Sequence, residues 1–430
     1  MYAATRSSLA DWLAHLERLH PRGEAGIELG LERVRKVSRA LGQRPYCPVI
    51  TVGGTNGKGS TCALIERILL CAGYRVGVYS SPHLLAYNER VRIDGRPADD
   101  AAFCAAFARV EAARGDVPLT YFEFGTLAAW EMFTAASPDA IILEVGLGGR
   151  LDATNLYDAD CAVITGIALD HTDHLGPTRD HIGREKGGIC RAGRPLICGD
   201  ADPPAGLIEA CRAASADFRC LGRDFGFLRQ ETQWQYWNTA GRRLGGLAFP
   251  ALRGQCQLGN AACAIAALDA LQERLPVTAQ DIRRGLAEVE LPARCQVLPG
   301  RPQIVLDVAH NPQAAQELAS NLGQMGFART TWAIIGMMAD KDIVGVIEAL
   351  RGRVDQWLTC DLPVPRAASA KQLAEAIAKA GVAGAVATFA SPEAALRHAQ
   401  DDASADDRIL VCGSFLTVAG VMRSLNHGGG

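Results

Sequence analysis

Between residues 53 and 61 the chain reads Gly-Gly-Thr-Asn-Gly-Lys-Gly-Ser-Thr, and this mixture of glycines, one cation and hydroxyls can hold a phosphate. Glycine tolerates the positive-φ turns that aim successive backbone N–H groups at one anion, so Gly53, Gly54, Gly57 and Gly59 are all expected in such turns. Thr55 and Asn56 complete the loop, and a helix predicted to begin near Ser60 would add its positive dipole end. Lys58 supplies a mobile point charge. Ser60 or Thr61 offers a hydroxyl where a phosphate-bound Mg²⁺ would sit. The spacing departs from the general Walker pattern, because three residues separate Gly53 from Gly57 and Gly59 stands between Lys58 and Ser60.

Other polar residues gather at the ends of apolar runs. Ala140-Ile-Ile-Leu-Glu144 reads as a buried strand ending in a carboxylate, which suits a second magnesium ligand and equally a solvated strand end. Leu169-Asp-His171-Thr-Asp173-His174 follows the next strand. Zinc would want a closed set of three or four ligands, so His171 reads better as a magnesium ligand. Ser81 by itself would be a turn serine, and Lys186 by itself an exposed helix lysine. Asp307-Val-Ala-His310-Asn311-Pro312 again closes a strand. A helix start explains Asn311 and Pro312 but not Asp307 and His310. Gly413 and Ser414 could present backbone donors to a small anion such as a carboxylate.

The elements that must position these residues alternate. Leu9, Trp12, Leu13, Leu16 and Leu19 recur at helical spacing, predicting a helix over 8–20 that stops before Pro21. A second helix is expected over 29–41. Then come strand 48–52, helix 60–71, strand 75–80, helices 98–113 and 121–136, strands 140–145 and 161–167, helix 178–190 and strand 195–198. Such an order predicts a mostly parallel sheet covered on both faces. Residues 205–255 are expected to form short antiparallel strands appended to it. Helix 258–274, opened by Asn260, and helix 278–288 lead to Pro292 and a linker. Beyond Arg301 strands 303–308, 331–336, 354–360, 385–389 and 408–413 alternate with helices 312–325, 342–351, 369–380, 392–401 and 414–425. That is a second α/β domain of ~130 residues. The expected division is 1–294 and 295–430. Ligands of open α/β sheets collect at strand carboxyl ends, so the predicted site is the cleft between the domains.

Composition excludes several classes. With 430 residues, 48% hydrophobic and 21% charged, the chain can bury full cores, and a net charge of -3 argues against a nucleic-acid or anionic-membrane binder. Arg6, Asp11, Glu17 and Arg18 interrupt any signal-peptide core, and no apolar run could span a bilayer, so a cytoplasmic location is expected. The 14 cysteines lack any Cys-x-x-Cys pair and lie mostly in apolar runs, which predicts buried free thiols.

Taken together, the chain resembles the folylpolyglutamate synthase/dihydrofolate synthase family, relatives of the Mur ligases. The motifs are Leu29-Gly-Leu-Glu-Arg-Val34, Gly54-Thr-Asn-Gly-Lys-Gly-Ser60, Tyr79-Ser-Ser-Pro-His83, Leu143-Glu-Val-Gly-Leu-Gly-Gly-Arg-Leu-Asp-Ala-Thr-Asn155, Leu169-Asp-His-Thr-Asp173, Arg184-Glu-Lys186, Asp307-Val-Ala-His-Asn-Pro312 and Gly413-Ser414. The resemblance implies an N-terminal P-loop ATPase-like domain, mostly parallel with a small antiparallel addition, and a C-terminal Rossmann-like α/β domain. It implies ATP-dependent joining of L-glutamate to dihydropteroate and to reduced folates through an acyl phosphate, in a monomer. Ser60, Ser81, Glu144 and His171 would bind magnesium, and Lys186 would be carbamylated to help hold a second Mg²⁺. A monovalent cation such as K⁺ belongs to the same set. ATP would be contacted by the 54–61 loop, Asn260, Arg294 and Asp307. The pterin would lie against Glu28, Leu29, Gly30, Thr120, Tyr121, Phe122, Glu123, Leu151, Asp152 and Ala153, with Lys58, Lys186, His310 and Ser414 catalytic. One departure stands out: the family's Pro-Gly-Arg is Pro292-Ala293-Arg294 here, followed by Cys295.

Two other readings remain. A nucleotide-driven switch would use the same loop without an acceptor. A Mur-type ligase would want a further domain ahead of the loop, and only about fifty residues precede Gly53. On any of these readings Lys58→Ala is expected to abolish nucleotide turnover while leaving the far-ultraviolet circular dichroism unchanged. Near-normal turnover in that variant would refute the phosphate role.

Overall fold

The computed structural model describes residues 7–20, 27–382 and 384–427. Arg6 and Pro21, the expected charged interruption and helix stop, lie outside the described residues. The chain divides into two compact units, Met1–Pro250 with Leu258–Val289, and Ala251–Gln257 with Glu290–Gly430. The division falls at Val289 rather than after Arg294.

The first unit is built on an eight-stranded sheet. Its central strand, Val49–Gly53, is wholly buried, as a β-branched run covered on both faces should be. It pairs in parallel with Ala140–Glu144 on one side and Cys161–Ile164 on the other. Val76–Tyr79 extends the sheet beyond the first, and Pro195–Cys198 and Asp217–Cys220 extend it beyond the second, all parallel. Val91–Ile93 and Arg96–Pro97 finish one edge antiparallel. Register does the positioning. Val52 lies opposite Glu144, Gly53 opposite Ile164, and Tyr79 opposite Leu143, so the glycine loop, Glu144, Ser81 and Thr165 all leave the sheet at one edge.

Helices cover both faces. On one, Lys58–Cys71 meets Ala279–Glu288 closely enough that a Cβ on Gly285 would lie 2.4 Å from Ile68 Cγ1. The other carries Tyr121–Ala136, whose Phe124, Trp130 and Phe133 are buried, with Trp130 stacked on Tyr157 at 3.6 Å between ring centroids. Gly77 leaves the space that Phe133 fills, since a Cβ there would meet its ring at 2.7 Å.

Several sequence expectations need correction. Residues 205–255 are not all antiparallel: Ala205–Ala213 is a helix, and Asp217–Cys220 is the eighth, parallel strand. The antiparallel strands Phe225–Arg229, Trp234–Asn238 and Arg243–Leu247 form a separate three-stranded sheet. It is tied to the helix Cys256–Ala270 by Asp269, which accepts from Tyr236 Oη and Asn238 Nδ2 at 2.9 Å and pairs with Arg242. Asn260 lies inside that helix rather than opening it.

The second unit holds a six-stranded sheet in the order Gln296–Leu298, Gln303–Leu306, Arg408–Cys412, Thr331–Ile335, Gln356–Cys360, Ala385–Phe389. The first is an antiparallel edge strand too short to show a sequence period, and the rest are parallel. Leu306 pairs with Val411 and Ile335 with Cys412, which brings Asp307 and Gly413 to the same edge. The α/β class expected for both units holds, and no helix among the described residues is long and apolar enough to cross a membrane.

Candidate active site

The glycine loop is shaped by two of its four glycines. Gly54 has φ 141° and Gly57 φ 87°, whereas Gly53 still belongs to the strand and Gly59 already belongs to the helix, so neither takes the positive-φ turn expected of it. The helix begins at Lys58, two residues before the predicted start. This moves Ser60 and Thr61 into its first turn, both buried.

The loop is held from the next strand. Thr165 Oγ1 donates to Asn56 O at 2.6 Å, Thr55 N donates to Gly166 O at 2.8 Å, and Thr55 Oγ1 donates to Ala168 O at 3.2 Å. A Cβ on Gly54 would sit 2.0 Å from Thr165 Oγ1, and one on Gly57 2.5 Å from Asn260 Oδ1. Thr165 was not anticipated. Its signal was a hydroxyl directly after an apolar strand, which reads as an ordinary strand end.

Two lysines converge on this loop. Lys58 Nζ donates to the carbonyls of Gly54 and Thr55, each at 3.1 Å, and Lys186 Nζ donates to the same Gly54 carbonyl at 3.0 Å. Lys186 is 4% exposed, so the surface-lysine reading fails. Burial first, and the Lys58 charge second, push its amine down to about 7, against the pull of Asp170 and Asp152.

Ser81 and Glu144 are brought together: Ser81 N donates to Glu144 Oε2 at 3.3 Å, with the carboxylate 6% exposed. His171 has φ 51° and stands at the N-cap position of the short helix Thr172–Leu175 without a capping bond from its side chain, its imidazole 3.9 Å from Asp170.

Arg33, an ordinary helix arginine by its sequence context, gathers the residues expected around the pterin. Its guanidinium donates to Glu28 O at 2.8 Å and to Glu123 Oε1 at 3.1 Å, and pairs with the Glu28 carboxylate. Gly30 N donates to Leu151 O at 3.3 Å, joining Leu29 and Gly30 to the 151–153 turn. Local structure uses several of these groups. Thr120 and Glu123 form a capping box for Tyr121–Ala136. Asp152 caps a 3₁₀ turn beginning at Ala153 and accepts from Leu147 N and Thr154 Oγ1 at 2.8 and 2.6 Å. Tyr121 turns toward Tyr87 and Arg90, while Phe122 turns toward Tyr79.

In the second unit Asp307 organises backbone. Its oxygens accept from Cys295 N and Ala309 N, each at 2.7 Å, and burial pushes its carboxyl up even with Arg294 nearby. Ala293 and Cys295 stand at φ 60° and 46°, so the turn a glycine would favour is kept without one. Arg294 lies over the Phe415 ring at 5.3 Å, and His310 packs near that ring at 6.3 Å. His310 Nδ1 donates to Val308 O at 2.8 Å, which leaves Nε2 the acceptor of the neutral ring. Asn311 is a helix cap, accepting from Ala314 N. Gly413 does not offer a free donor as expected, because its N–H donates to Ala309 O at 2.9 Å. Ser414 is buried beside it and caps its own helix through Leu416 N.

Gly54→Ala is expected to weaken binding of a nucleoside triphosphate by at least about tenfold, because the methyl displaces Thr165 and unseats the loop. Equilibrium titration with a fluorescent ATP analogue measures it, and unchanged affinity would mean that the loop is not the cradle.

Comparison with known proteins converges on one family. Residues 293–415 match the Mur ligase, glutamate ligase domain. Over 421 residues the chain is 46% identical to the dihydrofolate synthase/folylpolyglutamate synthase of Escherichia coli (strain K12), covering 98% of this chain and 96% of that one. It is 40% identical to the Haemophilus influenzae protein of the same name, covering 97% and 98%. The structure of E. coli FolC in complex with DHPP and ADP superposes with a TM-score of 0.93 at 45% identity, covering 99% of both chains. The Yersinia pestis bifunctional enzyme complexed with AMPPNP and Mn ion gives 0.90 at 47% identity, covering 98% and 99%. With this identity sustained over nearly the full length of both partners, the chain belongs to the bifunctional dihydrofolate synthase/folylpolyglutamate synthase family of the Mur ligase superfamily.

Proposed function

We propose that the glycine loop holds the triphosphate of ATP while the residues around it activate a pterin-linked carboxylate for coupling to L-glutamate. As a family member the chain is an ATP-dependent acid–amino-acid ligase that forms dihydrofolate from dihydropteroate and extends reduced folates. The observation that carries the assignment of residues is the meeting of Lys58 and Lys186 at one loop carbonyl. Two ammonium groups so close would repel each other, a conflict relieved when Lys186 gives up its charge and Lys58 is left to face the polyphosphate.

The reaction must join two anions. A carboxylate oxygen attacks the γ-phosphorus, the bond to the β–γ bridging oxygen breaks, and an acyl phosphate forms with ADP leaving. The glutamate amine then attacks the acyl carbon, forms the amide, expels phosphate and gives up a proton. Preorganised donors offset the repulsion in the first step: backbone N–H groups of Gly57 to Gly59, the Lys58 ammonium, and the first turn bearing Ser60 and Thr61. Asn260 is assigned to the nucleotide, a reading supported by its amide bordering Gly57. In the second unit, Arg294 and Asp307 are assigned to ATP, with His310 and Ser414 assigned to glutamate. His310 Nε2 is suited to accept the proton of the amine.

A divalent cation accompanies ATP in this family, and Ser60, Ser81 and Glu144 are proposed to hold Mg²⁺. The donor set fits a hard ion that takes one carboxylate, hydroxyls, waters and phosphate oxygens, and Glu144 already touches Ser81. Such an ion would spread the charge developing on the transferred phosphoryl group. A second ion is proposed at His171 and a carbamylated Lys186. Carbamylation joins the neutral amine to CO₂ with loss of a proton, and an amine pushed down to about 7 is neutral in a large share of molecules at physiological pH. It would replace a repelling pair of cations with an attracting pair of opposite charges. The pterin is assigned to the surface that Arg33 assembles from Glu28 to Gly30, Thr120 to Glu123 and Leu151 to Ala153.

Phosphate release should require both L-glutamate and either dihydropteroate or tetrahydrofolate. Equal release without them would instead identify a nucleotide switch. Lys186→Arg is expected to remove most of the activity, and wild-type turnover should fall when bicarbonate is stripped. Full rate in Lys186→Arg, with no bicarbonate dependence, would exclude the carbamate.

A further inference from the structure

We infer that Cys190 and Cys211 are a reversible disulfide site, closed by a two-electron peroxide oxidant. Their sulfurs lie 3.2 Å apart, nearer than the roughly 3.6 Å of unbonded sulfur contact and about 1.2 Å from bonding distance. Both are free thiols, 7% and 2% exposed; Cys198 and Cys220, opposite each other on neighbouring parallel strands, are a second hydrogen-bonded thiol pair, one held within the sheet rather than between two helices.

Their surroundings fix that approach. Cys211 lies in the helix Ala205–Ala213, and Cys190 follows the helix Arg179–Gly187. The two helices pack through small residues: a Cβ on Gly206 would lie 2.0 Å from Asp180 O, and one on Gly187 2.6 Å from Ala210 Cβ. So close a helix pair cannot spread to separate the sulfurs, and it needs little movement to join them. Cys190 is also held along the chain, because Arg191 donates to Asn155 Oδ1 at 2.9 Å and to Cys190 O at 3.0 Å.

The hydrogen bond between the thiols favours ionisation of Cys211, with Cys190 keeping the shared proton. The Cys211 thiolate attacks a peroxide oxygen, the O–O bond breaks, and hydroxide takes up a proton to leave as water, giving a sulfenic acid. Cys190 sulfur then attacks Cys211 sulfur, the S–O bond breaks, and a second water leaves with the Cys190 proton. Two thiols are oxidised and one hydrogen peroxide is reduced to two waters. The bond would clamp the end of the helix that carries Lys186 to its neighbour.

The test treats the full-length protein with stoichiometric hydrogen peroxide and maps its peptides by mass spectrometry without reduction. A crosslinked pair of peptides containing Cys190 and Cys211, two hydrogens lighter and separated by dithiothreitol, is the expected result. The thermal midpoint of the oxidised wild type should rise by about 5 °C, and Cys190→Ala should show no such rise. Both cysteines recovered as free thiols or as separate sulfinic acids, or an unchanged midpoint in a crosslinked sample, would overturn the inference.

Discussion

Two amines held close cannot both keep a full charge without cost, and in the first unit Lys58 and Lys186 both reach the Gly54 carbonyl within hydrogen-bonding distance. A carbonyl dipole satisfies their hydrogen bonds without cancelling their charge. Burial makes the conflict sharper, since Lys186 has lost nearly all its water. Much of the surrounding architecture holds the two amines at this carbonyl. The loop cannot relax away because Thr165, Gly166 and Ala168 pin it, and Lys186 cannot swing out because its helix is locked through Gly183, Gly187 and Gly206.

The sheet supplies the geometry for that arrangement. Parallel strands in register place their carboxyl ends on one line, so short loops from four strands converge without any long excursion. Close contacts exclude side chains at Gly54 and Gly57, and at those positions the loop has the unusual dihedrals that glycine permits. Where no such demand exists the same residue type is simply part of a strand or a helix, as Gly53 and Gly59 are. A carboxylate organises the equivalent edge of the second unit. Asp307 gathers two backbone N–H groups and holds the left-handed turn through Ala293 and Cys295 that glycine would otherwise ease.

Several residues expected to meet ligand already have structural partners. Thr120, Glu123 and Asp152 cap a helix or a turn, and Gly413 gives its N–H to Ala309. Capping and ligand binding draw on the same short polar side chains, so composition alone cannot separate them. A capped group can still border a ligand, but its position is then set by the helix it begins. Arg33 shows the reverse case: an ordinary helix arginine by sequence, it ties its neighbour Glu28 to Glu123, ninety positions further along the chain than Arg33 itself.

From sequence alone came the two α/β alternations, the glycine loop with its lysine, and the ordered motifs that carry the family resemblance. These are local signals: apolar runs, helical periods and residues whose chemistry is legible in isolation. Tertiary structure alone decided that Lys186 is buried against Gly54, that Thr165 grips the loop, that Ser81 reaches Glu144, and that residues 217–220 continue the parallel sheet. Each of these depends on strands or helices far apart in sequence being laid side by side. A lysine reads the same in a solvated helix as in a buried one, and only packing determines which carbonyl, or which second lysine, it must face.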